Sequence, residues 1–116
     1  MSNKEFDPEV HDYQKMVEGM ESVVTGLPET DRGNKKLIRL IHSQMGINTE
    51  SGEYADQFKR HIFYRQPLDE VNLVEELGDI MWYIALACNV LGVSLLDVQK
   101  ANARKLIKRY PCCCEF

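Results

Sequence analysis

The sequence predicts an all-α fold, an antiparallel helical bundle of about four helices. Three observations carry that expectation. Apolar residues recur at steps of three and four over four segments, the period of a helix with one buried face. Short connections holding helix stop and start residues separate the segments, which favours antiparallel neighbours. No run alternates apolar and polar residues convincingly enough to be a strand.

The first segment opens at Asp7 or Pro8 and runs to about Thr25, with Val10, Tyr13, Met16, Val17, Met20, Val23 and Val24 on its apolar stripe. Gly26, Leu27 and Pro28 stop it. The second runs from about Asn34 to Phe63, with Leu37, Ile41, Gln44 or Met45, Asn48, Tyr54 or Ala55, Phe58 and Ile62 along one side. Gly46 and the Asn48-Thr49 pair favour non-helical backbone, so a kink or a split is expected there. Tyr64 to Pro67 end it. Asp69 is the expected N-cap of the third segment. That segment continues to Leu91 and becomes apolar on nearly two sides from Ile80 onward, and Gly92 suits the position just past its end. Ser94 with Asp97 three residues on has the form of a capping box. The fourth helix then runs to about Arg109, before Pro111. Arg104, Lys105, Lys108 and Arg109 lie at its C-terminal end, where the helix dipole is negative.

The 116 residues suit a single domain spanning 1–116, and 44% hydrophobic residues are enough for a core. A net charge of −4 speaks against nucleic acid bound through a basic surface. It leaves a single nucleotide open as a substrate, since metal ions neutralise both sides of such a contact. No stretch is long and apolar enough to span a membrane. The first residues hold no apolar signal region, so no membrane association and a cytoplasmic location are expected. A small bundle whose third helix is apolar nearly all round is expected to bury part of that helix against a second copy, through a two-fold axis. The side with Trp82, Ala85, Leu86 and Asn89 is the expected interface. Cys88 reads as a small core residue. Cys112, Cys113 and Cys114 lack the spacing of a zinc site and read as reduced, exposed thiols, with metal capture, redox sensing or lipidation as the sharper alternatives.

Two acidic couplets stand out, Glu50-x-x-Glu53 and Glu76-x-x-Asp79. Residues three apart share a helix face, so each couplet points two carboxylates the same way. If the two helices pack face to face, four carboxylates converge. Burying like charges together is costly, and a hard divalent cation makes such a cluster tolerable. Gly78, inside the second couplet, offers room for a close neighbour at a helix-propensity cost of about 1 kcal/mol. None of His11, His42 and His61 follows a glutamate by three, so the Glu-x-x-His pattern of di-iron and di-manganese bundles is absent. An all-oxygen ligand set suits Mg²⁺ or Mn²⁺ and points to chemistry on a phosphate-bearing substrate.

The runs Thr49–Asp56, Glu75–Tyr83 and Asn102–Pro111 resemble, in this order, the MazG-like all-α nucleoside triphosphate pyrophosphohydrolases. The resemblance extends roughly from Leu37 to Pro111. It implies Mg²⁺-dependent hydrolysis, with Mn²⁺ as a substitute, of a (deoxy)nucleoside triphosphate to the monophosphate and pyrophosphate, for nucleotide pool control or clean-up. It implies metal roles for Glu50, Glu53, Glu76 and Asp79, and substrate contacts for Lys59, Tyr83, Asn102 and Lys105. It also implies a homodimer or homotetramer whose sites draw on more than one chain. Within that chemistry Glu50 or Glu53 is the expected acceptor of the water's proton. Lys59, Lys105 and Arg109 can hold phosphates. Trp82 and Tyr83 suit either a base or plain packing. The triple cysteine departs from the Gly-containing ending of related chains. The rival readings are a non-catalytic helical oligomer that binds a nucleotide or a protein partner, and a carboxylate-bridged redox metal protein.

Overall fold

The computed structural model describes residues 4–25 and 35–113. These form four α-helices: α1 (Tyr13–Thr25), α2 (Lys36–Phe63), α3 (Glu70–Leu91) and α4 (Leu95–Arg109). A 3-10 turn at Pro111–Cys113 follows, and no strand occurs among the described residues.

Helix α1 starts later than the sequence suggests. The carbonyl of Asp7 accepts from the amides of Val10 and His11, which closes a turn and no more. Asp12 starts the helix instead, its Oδ1 accepting from the amides of Gln14 (3.0 Å) and Lys15 (3.3 Å). This is the bond of an N-cap residue. The expected stop at Gly26 to Pro28 and the expected start at Asn34 lie outside the described residues.

The second difference is in α2, which is one continuous helix of 28 residues, unbroken at Gly46 or Asn48-Thr49. The hydroxyls that would support a turn bond back along the helix. Ser43 Oγ donates to the Leu40 carbonyl (2.6 Å) and Thr49 Oγ1 to the Gly46 carbonyl (3.1 Å). The connection to α3 turns at Arg65, a non-glycine residue with φ of 55°. His61 Nδ1 lies 2.8 Å from the Gln66 carbonyl in the same turn.

Helix α3 opens and closes as its sequence predicts. Asp69 accepts from the Asn72 amide, and Gly92 takes φ of 69° past the last turn. Gln14 then ties α1 to the corner before α4. Its amide nitrogen donates to Asn89 Oδ1 and to the Val93 carbonyl, both at 3.0 Å, and its oxygen accepts from the Leu95 amide at 2.8 Å. Ser94 and Asp97 form the full capping box. Helix α4 leaves α3 at 95° and has no buried residue, so it does not lie alongside the others. Among the described residues no single helix is long and apolar enough to cross a membrane.

The core is small. Val17, Ala85 and Leu86 are fully enclosed, with Tyr13, Trp82, Tyr83, Val90 and Leu95 around them. Cys88 is buried, as expected. One charged pair joins this interior: Glu21 is buried, and Arg39 grips it through Nε at 2.7 Å and Nη2 at 3.0 Å. A charge so desolvated persists only with a partner.

The α3 side expected to face another copy is used inside the chain. Ala85 and Leu86 are buried against α1, and Asn89 exchanges hydrogen bonds with Gln14. The apolar surface left outside is different: Val71, Val74, Leu77 and Met81 on α3, and Leu37, Ile38, Ile41 and Met45 on α2. Gly78 is also not a close-packing point, since a Cβ there would meet nothing within 4 Å.

Because α4 packs on the core only through its first residue, Leu95, its cap carries much of its local stability. Ser94→Ala is expected to cost about 1 kcal/mol, read as roughly a fivefold loss of amide-exchange protection across the first turns of α4. Ser94→Asp is expected to retain the protection.

Candidate metal centre

Helices α2 and α3 run antiparallel, so His42 meets Tyr83 while Glu50, further along α2, meets Glu76 and Asp79. His42, Gly46 and Glu50 are spaced by four and share the α2 face turned to α3. A Cβ on Gly46 would clash with the Cγ–Cδ1–Cε1 edge of the Tyr83 ring. The glycine therefore lets the two backbones approach until carboxylates from both helices meet.

One carboxylate oxygen from each of Glu50, Glu76 and Asp79 lies within 4.8 Å of the others. Glu50 and Glu76 are half-buried and Asp79 is exposed. Glu76 Oε2 is buried without a hydrogen-bond partner. Burial pushes the Glu50 carboxyl up from its ordinary value. The charges of Asp79 and Glu76, a hydrogen bond with Glu76 and the charge of Glu53 push it further. The Tyr83 phenol is also raised, by burial and then by Glu50 and Asp79.

These residues fit a hard divalent cation. The donor set is all oxygen, and the orphaned Glu76 oxygen lacks only a positive partner. Oxygens bound about 2.1 Å from one ion lie no more than about 4.2 Å apart, so a slight contraction of the trio would close it around Mg²⁺.

A cavity of about 260 Å³ opens beside the cluster, lined by Val24, Glu50, Asp79, Trp82 and Tyr83. The structure thus brings together Glu50, Glu76, Asp79 and Tyr83. Glu53 lies outside the trio on an exposed part of α2 but close enough for its charge to act on Glu50. Lys59 is exposed and pairs with Asp56 at 3.3 Å. It is nine residues beyond Glu50, roughly 13 Å along the helix. Asn102 and Lys105 lie exposed on α4 and do not line the cavity. Val24 lines the cavity without any sequence signal for that role, and Gly46, where a kink or split is expected, is instead a contact with Tyr83. The spacing of His42, Gly46 and Glu50 at i, i+4 and i+8 was the available signal.

Residues 43–114 match the MazG nucleotide pyrophosphohydrolase domain. The chain is also similar to two curated proteins. One is "Uncharacterized protein YvdC" of Bacillus subtilis (strain 168), 37% identical over 70 residues, which are 53% of this chain and 66% of that protein. The other is "Gene 37 protein" of Mycobacterium phage L5, 35% identical over 74 residues, which are 60% of this chain and 65% of that protein. Each match thus spans just under two thirds of the relative's length. No solved structure matches the chain.

The crowded carboxylates make a thermodynamic prediction. A carboxyl whose folded pKa is raised disfavours its ionised form in the folded state. The cost is absent at pH below the ordinary value of 4.5 and grows as pH rises through the raised value. The metal-free protein is therefore expected to lose stability from this site on going from mild acid to neutral pH. Saturating Mg²⁺ at neutral pH is expected to raise Tm by roughly 5 °C or more, and the gain should shrink as pH falls. Differential scanning fluorimetry over a pH and Mg²⁺ grid checks this. Glu76→Gln should remove most of the Mg²⁺ effect while raising the metal-free Tm.

Proposed function

This chain belongs to the MazG nucleotide pyrophosphohydrolase family, and from that premise we propose that it hydrolyses a (deoxy)nucleoside triphosphate to the monophosphate and pyrophosphate, with Mg²⁺ as its metal. The convergence of Glu50, Glu76 and Asp79 from two helices carries the reading. These three carboxylates would hold the metal. Bound there, Mg²⁺ would neutralise phosphate oxygens, stabilise the pyrophosphate leaving group and acidify a water.

The remaining work falls to the chain's own side chains. A water adds to one of the two phosphorus atoms of the α–β bridge, and the bond to the bridging oxygen breaks. Glu53 stands one turn from Glu50, outside the trio and open to solvent. We assign its carboxylate the role of accepting the water's proton. Tyr83 and Trp82 wall the cavity beside the acids and suit the nucleoside, with the Tyr83 hydroxyl as a polar contact. Lys59, Asn102 and Lys105 are assigned to the phosphates and sugar. The biological role that fits is nucleotide pool control or clean-up.

We further assign the working unit to a homodimer or homotetramer. The exposed row of Val71, Val74, Leu77 and Met81, together with the exposed Leu96, Val98, Leu106 and Ile107 of α4, is apolar surface of the kind that a second copy covers. A partner copy would then bring Asn102 and Lys105 to a site that this chain's α4 does not reach.

A panel of common ribo- and deoxyribonucleoside triphosphates with pyrophosphate detection tests the reaction. Release from at least one substrate, dependent on Mg²⁺, is the expected result. Glu50→Gln and Glu53→Gln should each lower the rate by about 100-fold or more. Light scattering tests the assembly, and Met81→Glu should shift it toward the monomer. Absence of pyrophosphate from every substrate overturns the hydrolase reading.

A further inference from the structure

We infer that Gly46 and His42 are positioning residues that seat Tyr83, and through it set the shape of the nucleotide cavity. The inference rests on the proposed reaction for its functional readout. A glycine inside a helix weakens it, yet Gly46 sits buried in the middle of α2. Its position is filled by the Tyr83 ring, which lies where a Cβ would project. Any larger residue there has to move the ring or part the helices. The ring is fenced on two further sides. His42 meets it edge-on, with centroids 5.6 Å apart and planes at 81°. Trp82 meets it edge-on at 5.1 Å and 77°.

Tyr83 and Trp82 also wall the cavity that holds Glu50 and Asp79. A shift of the Tyr83 ring therefore changes the space beside the acids without touching the acids themselves. His42 Nδ1 is buried with no hydrogen-bond partner. At that nitrogen the imidazole makes no polar contact, so its contribution toward Tyr83 is the ring. Edge-to-face packing is a property that another aromatic ring can supply.

The test uses the full chain and compares Gly46→Ala, His42→Ala, His42→Phe and Tyr83→Ala, the first three also combined with Tyr83→Ala. Steady-state kinetics on a triphosphate cleaved by the unaltered chain gives KM and kcat, and a Mg²⁺ titration gives the metal midpoint. Near-UV circular dichroism reads the Trp82–Tyr83 pair, since Trp82 is the only tryptophan in the sequence. Gly46→Ala and His42→Ala should each raise KM by about tenfold, with kcat and the Mg²⁺ midpoint within about threefold of the starting values. Both should weaken the near-UV band. His42→Phe should restore KM and the band. In the Tyr83→Ala background none of the three should change KM further, because they act through that ring. If Gly46→Ala does not fold alone, the two His42 variants and the double variants decide the matter. An unchanged KM in His42→Ala overturns the inference, as does a further KM change in the Tyr83→Ala background or a failure of His42→Phe to rescue. Absence of turnover by the unaltered chain overturns the hydrolase reading instead. The seat is then judged by the near-UV band, which must fall in His42→Ala and return in His42→Phe.

Discussion

Repulsion between carboxylates that helix packing forces together is the constraint on which the rest of this molecule depends. Glu50 belongs to α2, and Glu76 and Asp79 to α3. Nothing in their own chemistry brings them within 4.8 Å. At that separation two unit charges repel by about 3 kcal/mol at an effective dielectric near 20, and less where Asp79 meets water and is screened. The attraction that overcomes this is apolar contact between the helices, centred where Tyr83 fills the notch at Gly46. A sequence that sets packing against charge in this way is locally inconsistent, and such inconsistencies concentrate where a protein does its chemistry.

The same trade-off is visible in what the chain leaves uncovered. Among the described residues the enclosed hydrophobic side chains are Val17, Ala85, Leu86 and Cys88, while Val71, Val74, Leu77 and Met81 stand in the open. Helix α4 continues the pattern, with Leu96, Val98, Leu106 and Ile107 exposed, as is Tyr110 just past its end. A small chain buries a small fraction of its surface, and this one also turns a whole helix 95° away from its body. The polar clamp at the corner, built from Gln14, Asn89 and the backbone around Val93, fixes that direction. An extended α4 is therefore held by specific bonds and not left to chance. That is why we connect it to assembly.

The sequence was informative wherever the signal is local. Asp69, Gly92 and the Ser94–Asp97 box each act within one turn of chain, and each stands where short-range chemistry puts it. The carboxylate couplets were legible for the same reason, since spacing by three fixes a shared face. What failed was long-range. Gly46 and Thr49 have the propensity of a break, but the Tyr83 ring takes the space beside Gly46, and Thr49 returns its hydroxyl to the helix. The interface expected on the Trp82, Ala85, Leu86 and Asn89 side was a true reading of apolarity with the wrong partner, because α1 covers that side first. The burial of Glu21 is long-range too, since Arg39, eighteen residues later, grips its carboxylate.

Charge balance joins the site to the rest of the architecture. The cavity beside the cluster is lined by Val24, Glu50, Asp79, Trp82 and Tyr83, with no lysine or arginine among them. A triphosphate brings several more negative charges to a place already negative. On the proposed reaction, metal ions supply the first positive charge, and their binding is what makes approach of the substrate favourable. Among the described residues the cations that could supply the second stand at a distance. Lys59 is engaged with Asp56 further along α2, and Lys105 is on the projecting α4. Since no described lysine or arginine lines the cavity, the proposed reaction would draw its positive charge from metal and from the proposed assembly. On that proposal cleavage would depend on both metal and a second copy, with the acid cluster as the point where the two requirements meet.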